Sequence, residues 1–407
     1  MADVFQPRSE AEVAEFVRSA NAGGYPLEVC GFRSKRQAGR PVVPSAVLST
    51  ARLTGITYYK PDELVVSAWA GTPFHELEAE LAKRGQELAF EPADWSRIYT
   101  REPHAGTVGG VAAANISGQR RILRGASRDF LLGLKAVNGM GEIIRTGGRV
   151  MKNVTGVDLV RGLSSSWGTL AVVTEVTYKV LPKARESHTL LYHNLPDESA
   201  IGLLCAAMGT PYEVSGTLHL HGPMVARLVD PSIAPANSTL TALRLEGEGE
   251  FLEARVDALR RLLHPFGQSH DLEGRQSRAF WQDIRSLSFL SAEFEKPLWR
   301  ITVAPSQGPI LVRALSQFFP VQAAYEWSGG LVWVETPPSR DAHATEIRRV
   351  LSDMKGDAML VRAPREVRET IEVFHPQPLA TMRLVEGIKR AFDPGRILNP
   401  GRMYAHV

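Results

Sequence analysis

From His104 to Gly118 the sequence reads His-Ala-Gly-Thr-Val-Gly-Gly-Val-Ala-Ala-Ala-Asn-Ile-Ser-Gly, a run with little side-chain bulk. Glycine tolerates dihedrals closed to other residues and alanine adds little volume, so such a run serves one of two ends. Either backbone amides approach a bulky ligand closely, or a helix packs tightly on a sheet. The residues alone leave both ends open.

The chain around it is that of an ordinary globular protein. It has 407 residues, enough for two or three domains with their own cores. Lys and Arg total 47 against 44 Asp and Glu, a net charge of +3, so no phosphate-neutralising basic face is implied and nucleic acid is a poor partner. Cys30 and Cys205 are the only thiols and lie far apart in sequence, which excludes a disulfide framework and a thiolate cluster for zinc or iron–sulfur. A reducing cytoplasm fits that usage. Residues 1–10 lack the basic start and apolar run of an export signal. The longest apolar stretches, 170–173 and 331–334, fall far short of a membrane span, so membrane contact is expected only through a partner.

Periodicity predicts a helix over 9–21 with Ser9 and Glu12 as a capping box and Gly23-Gly24 at its end, then a strand over 27–30. A strand over 63–70 leads to a helix from Pro73, with Thr72 as its cap and Gly85 as its close. Gly139-Met140-Gly141 between 132–138 and 142–145 reads as a hairpin. After a short helix over 158–163, alternation through Val172, Val176, Tyr178 and Val180 stops at Pro182, a predicted boundary. Residues 183–373 then alternate strands (240–245, 298–303, 331–334) with helices (251–263, 342–354), a separate α+β unit. A last helix presents Leu379, Met382, Leu384, Val385 and Ile388 on one face.

Several chemistries are missing. There is no G-x-G-x-x-G, no Walker lysine loop, no G-x-S-x-G elbow, and His75-Glu76 lacks the second histidine of a zincin helix. His219-x-His221 alternates on a predicted strand, which places both imidazoles on one face, but without a third ligand in sight no metal is expected. The sequons at Asn115, Asn153 and Asn237 are chance matches without an export signal.

The order of the remaining pieces is more telling. Cys30-Gly31-Phe32-Arg33-Ser34-Lys35 is followed by Gly106-Thr107-Val108-Gly109-Gly110 with Asn115 and Gly118, then by Arg128-Asp129-Phe130-Leu131-Leu132-Gly133. Trp167-Gly168-Thr169-Leu170-Ala171-Val172-Val173-Thr174-Glu175 comes next, and Asp393-Pro394-Gly395-Arg396-Ile397-Leu398-Asn399-Pro400-Gly401-Arg402 closes the series. In this order they resemble the vanillyl-alcohol-oxidase (PCMH-type) FAD-binding family, with Phe32 and Arg33 standing where glycines are commoner. Met151-Lys152-Asn153-Val154-Thr155-Gly156-Val157, Leu243-Arg244-Leu245-Glu246-Gly247 and Leu298-Trp299-Arg300 further resemble the FAD-binding E subunits of bacterial glycolate oxidases.

The resemblance implies an α+β fold: a two-subdomain FAD-binding domain over 1–182, a smaller α+β cap over 183–373, and a return segment over 374–407. It implies FAD held by Gly31, Phe32, Arg33, Ser34 and Lys35, by His104, Gly106, Thr107, Gly109, Gly110, Asn115 and Gly118, and by Gly168, Thr169, Val173, Asn399 and Arg402. A side chain at Gly109 or Gly110 is then expected to displace the phosphate chain. Cys30 is expected to be a buried strand residue and not a covalent anchor. The implied activity is oxidation of glycolate or a similar 2-hydroxy acid, with a catalytic FAD-binding D subunit and an iron–sulfur F subunit as partners. The family's histidine-rich metal-and-base motif is not found in the cap. His219, His221, Arg300 and His375 are the candidate replacements at the flavin face. An assembly subunit without its own turnover, and a stand-alone 2-hydroxy-acid dehydrogenase, are the alternatives.

Overall fold

The computed structural model describes residues 3–100, 106–149, 158–235, 237–291 and 293–407. Helix α1 (Glu10–Gly23) begins where the Ser9 hydroxyl accepts from the Glu12 amide and ends at Gly24 in left-handed backbone, but the predicted capping box is only half made, since the Glu12 carboxylate accepts from the Arg8 amide and not from Ser9. It covers a three-stranded parallel sheet of β1 (Asp3–Phe5), β2 (Leu27–Cys30) and β3 (Ala46–Ser49), in the order β1-β3-β2. Val13, Val17, Leu27 and Leu48 form the core between them.

A second, antiparallel sheet follows, built from β4 (Ile56–Lys60), β5 (Val65–Trp69), β7 (Leu131–Asn138), β8 (Ile143–Gly147) and β9 (Ala171–Lys179), in the order β4-β5-β9-β7-β8. The predicted hairpin is the β7–β8 turn, with Gly141 at φ 77°. Beside it β6 (Gln86–Glu87) pairs with β10 (Leu181–Pro182). Helices α2 (Phe74–Ala82), α3 (Ser96–Tyr99), α4 (Val108–Ala114), α5 (Arg121–Arg124), α6 (Ser127–Phe130) and α7 (Leu159–Leu163) flank this sheet. The cap predicted for α2 is displaced: Pro73 occupies that place, and the Thr72 hydroxyl accepts from the Gly55 amide at 3.0 Å instead.

The third sheet is the largest. It comprises β11 (Glu186–His193), β12 (Gly216–Leu220), β13 (Leu240–Gly247), β14 (His270–Glu273), β15 (Leu298–Thr302), β16 (Gln322–Glu326), β17 (Leu331–Glu335) and β18 (Asp357–Arg362). All its ladders are antiparallel, in the order β14-β11-β13-β12-β16-β17-β15-β18. Side chains alternate between its faces. Leu218, Leu220, Ala242, Ala324, Leu331 and Trp333 point inward and share one core with Phe90, Trp95, Val173 and Tyr178 of the preceding part. Leu243, Tyr325, Val332 and Val334 point outward and pack under α8 (Asp197–Met208), α10 (Gly249–Leu263), α12 (Gly308–Leu315) and α13 (Ala344–Ser352). The remaining helices of this part are α9 (Gly222–Val225), α11 (Gly274–Arg285) and α14 (Arg365–Thr370).

Buried ion pairs tie the large sheet down. Arg244 of β13 reaches Glu91 with two bonds at 2.9 and 2.7 Å, and Arg120 reaches Glu246 at 2.6 Å and Glu87 at 2.8 Å. Burial opposes ionisation of Glu246, but Arg244 and Arg120 outweigh it and hold its carboxyl at about 2. Finally α15 (Leu379–Phe392) leads to a return segment that bridges Leu398 to Leu27 at the edge of β2. The single apolar face predicted for α15 is divided: Met382 is buried, whereas Leu379, Leu384 and Ile388 are exposed.

Candidate functional site

The loop after β2 and the small-residue helix α4 face each other across a cleft. Gly31 through Lys35 line one wall; Thr107, Gly109, Gly110, Ala113 and Ala114 line the other; Trp167, Gly168, Ala171 and Val173 close the end. Two non-glycine residues here hold left-handed backbone, Arg33 at φ 60° and Trp167 at φ 54°. The amides of Phe32, Arg33 and Ser34 find no acceptor among the described residues. Lys35 sits within 4 Å of the Cβ positions of both Gly106 and Gly110, and burial lowers its ammonium pKa to about 8. Arg402 donates to the Lys35 carbonyl at 2.9 Å, while its Nε and the Glu28 Oε2 are buried with no partner. Free amides, cations without an ion-pair partner among the described residues, and a wall of glycine and alanine suit an anionic diphosphate with a flat ring system beyond it.

The small-residue run serves both ends named above. A side chain on Gly110 would first meet the Thr107 hydroxyl at 3.1 Å and the flexible end of Lys35, and the position lines the cleft. On Gly109 it would strike Ala70 at 2.6 Å and on Gly118 the Glu91 carbonyl at 2.0 Å, so these two glycines allow close backbone packing. The expectation for Gly109 is thus corrected: valine there would wedge α4 off β5. Gly109 still lines the cleft, whereas Gly118 and Thr169 lie outside the lining, with the Gly118 carbonyl accepting from Trp327 Nε1 and the Thr169 carbonyl from Lys389. Asn399 acts behind the cleft. Its Oδ1 accepts from the Val29 amide at 2.9 Å and its Nδ2 donates to the Trp167 carbonyl at 3.0 Å, which fixes both walls. Cys30 lines the cleft, half-buried, with its thiol on the Leu48 carbonyl, and burial pushes its pKa up. His104 and residues 151–157 lie outside the described residues.

Through Trp167 and Ala114 the cleft adjoins a second pocket under the inner face of the large sheet. Arg300 and His375, both candidates from sequence, line it together with Asn115, Arg121, Glu326 and Trp333. Arg121 and Arg300 lie over the Trp327 ring at 4.8 and 5.1 Å. Among the described residues neither has a carboxylate within ion-pair distance. Burial, reinforced by Arg121, lowers the Arg300 pKa to about 10. His375 Nδ1 accepts from the Ala358 amide at 3.3 Å, so the neutral ring carries its proton on Nε2 and donates to whatever lies there. Arg121, Trp167 and Glu326 were not singled out from sequence as site residues; an aromatic beside Gly168 was the one local signal.

His219 and His221 are placed elsewhere, and their assignment to the flavin face is corrected. Leu218 and Leu220 point inward, so His219 between them points outward, under α8. There Asp197 supplies the third group that the sequence did not reveal: it accepts from His219 Nε2 at 3.2 Å and His221 Nε2 at 3.1 Å, and from the Tyr325 hydroxyl. Because the Ala323 amide donates to His221 Nδ1, the neutral ring presents Nε2–H, a donor, to Asp197. The trio is therefore a carboxylate-centred hydrogen-bond network. Burial alone would raise the Asp197 pKa, yet the two histidine hydrogen bonds hold it well below the usual carboxylate range.

Comparisons with known proteins agree with this geometry. A model of the FAD binding domain family matches residues 1–147. Glycolate oxidase subunit GlcE of Escherichia coli (strain K12) is 32% identical over 97% of this chain and 97% of its own length. Glycolate oxidase subunit GlcD of Bacillus subtilis (strain 168) is 27% identical over 99% of this chain and 88% of its own. A D-lactate dehydrogenase of Archaeoglobus fulgidus is 31% identical over 46% of this chain and 40% of its own. Of solved structures, p-cresol methylhydroxylase with substrate bound shares the fold, with a TM-score of 0.72 at 12% identity over 99% of this chain and 88% of that one. With the cleft fitted to a dinucleotide and a relative alike over nearly its whole length, the chain belongs to the PCMH-type FAD-binding family and is an FAD-dependent oxidoreductase.

Proposed function

We propose that this chain is the FAD-carrying subunit of a glycolate-oxidising complex and that it oxidises glycolate or a similar 2-hydroxy acid to the 2-oxo acid. The observation that carries the reading is the pair Arg300 and Arg121, two guanidiniums without a carboxylate partner among the described residues, in a pocket that adjoins the cofactor cleft. A small carboxylate between them satisfies both, and the guanidinium fork suits it better than a lysine would. Bound FAD supplies the two-electron acceptor for a hydride from the alpha carbon. The chain's residues hold the acid: Arg300 and Arg121 take the carboxylate, Trp167 and Trp327 flank it, and His375 Nε2–H donates.

The subunit reading rests on the printed names of the glycolate oxidase relatives and on Leu384 and Ile388, exposed apolar side chains one turn apart on α15 that suit a partner chain. In this reading electrons pass to an iron–sulfur F subunit beside a catalytic D subunit. The complex lies in the cytoplasm and meets a membrane only through its partners. Among the described residues no helix is long and apolar enough to cross one. The test is an anaerobic visible titration of the flavin-loaded chain, alone and with its partners, with glycolate and then D-lactate. Bleaching that disappears in Arg300→Met supports the proposal. No bleaching in either setting, or bleaching indifferent to Arg300, refutes it.

A further inference from the structure

Oxidation of a 2-hydroxy acid releases a hydride from carbon and a proton from oxygen, and a group of the chain must take the proton. The inner pocket offers few acceptors. His375 presents a donor, and Asp357 stands exposed at the rim. Glu326 is different. It ends β16 on the inner face, is only 4% exposed, and lines the pocket beside Arg300. Trp333 Nε1 donates to its Oε1 at 3.3 Å, and its Oε2 has no partner among the described residues.

Resting on the pocket reading above, we propose that Glu326 is the proton acceptor of the reaction, taking the substrate hydroxyl proton on Oε2 while Arg300 and Arg121 hold the carboxylate. The O–H bond breaks and its proton goes to Glu326. The alpha C–H bond breaks and its electron pair leaves with the hydrogen to bound FAD. The C=O double bond forms, so the acid loses two electrons and the flavin gains them. The groups facing Glu326 come from several elements: Arg300 on β15, Trp333 on β17, Arg121 on α5, and Glu91 from the loop before α3. Burial raises its pKa from 4.5 to about 7, with Arg300 and the Trp333 bond opposing the rise. A carboxylate poised there is ionised at mildly alkaline pH yet basic enough to accept a proton.

A purely structural glutamate that only positions Arg300 predicts a different result, and Glu326→Gln separates the two because it keeps a partner for Trp333 without a proton site. Flavin-loaded wild type and Glu326→Gln are titrated with oxalate, which binds through carboxylates and has no hydrogen to lose. Calorimetry in buffers of different ionisation enthalpy gives the affinity and the protons taken up. Flavin bleaching by the oxidisable acid is then followed from pH 5.5 to 9. The expected result is oxalate affinity within about threefold, loss of proton uptake near pH 7, and bleaching slowed about 100-fold or more without its rise across neutral pH. Proton uptake that persists in Glu326→Gln, or bleaching within about fivefold of wild type on the same pH profile, overturns the assignment. Should Glu326→Gln fail to hold flavin, Glu326→Asp decides: a displaced pH limb supports the role and an unmoved one refutes it. If wild type binds no oxalate and Arg300→Met bleaches normally, the pocket reading itself falls and Glu326 with it.

Discussion

The two faces of the large sheet carry opposite kinds of polar chemistry. On the outer face Asp197, His219, His221 and Tyr325 satisfy one another, and Thr241 and the Ala323 amide complete both imidazoles. On the inner face Arg300 and Arg121 lie half-buried without a counter-ion among the described residues, and the Glu326 Oε2 is free. Both clusters hold residue types able to catalyse. A closed network stabilises a fold, whereas open valences under a cofactor cleft await a ligand. Residue type alone chose candidates from both faces, His219 and His221 on the outer and Arg300 and His375 on the inner.

The difference is open to direct attack. The largest effect is expected from Arg300→Met, which should lower kcat/KM for the acid about 100- to 1,000-fold by removing the charge partner of its carboxylate. His221→Gln should leave it within about twofold, and a tenfold loss at unchanged stability would break the comparison. Next comes Asp197→Ala, which strands three hydrogen-bond partners on the outer face. Denaturant unfolding should show a loss of about 2–4 kcal/mol while anaerobic bleaching keeps its rate. Arg121→Met should raise KM about five- to tenfold with little change in kcat, since this guanidinium is only half-buried and holds the ground state.

The smallest effect sharpens the account of Glu326. Its folded pKa of about 7 exceeds the ordinary 4.5, so between those values the folded chain binds more protons than the unfolded one. Its contribution to stability is full below pH 4.5 and is lost as pH rises to 7. Glutamine does not titrate, so the Tm of Glu326→Gln relative to wild type should climb across that interval and then level. A flat difference would place the carboxyl in an ordinary environment.

How far the sequence reveals the site follows from how local each part is. The strand–loop at 27–35 and the small-residue run are local features, readable from nearby dihedrals and volumes, whereas a place beside a cofactor was implied only by the family resemblance. The inner pocket is another matter. Arg300, Glu326 and Trp333 meet because β16, β17 and β15 are neighbours in a sheet whose order departs from chain order, and Arg121 joins from the opposite part of the molecule. Alternation told that His219 and Leu218 face opposite ways, but which side is covered by α8 depends on long-range packing. The exposed Leu384 and Ile388 of α15 carry the same lesson, since the same periodicity describes a helix buried on a core and one left facing outward.

Asn399 joins Val29 to Trp167, and Arg402 holds the Lys35 carbonyl, so the cofactor cleft is shaped by segments made at opposite stages of synthesis. During translation the nascent chain displays the glycine-rich loops long before the clasp that aligns them exists. Without the clasp nothing in these contacts would hold the Val29 strand to Trp167 or fix the Lys35 carbonyl, so the two walls would lose their register with each other.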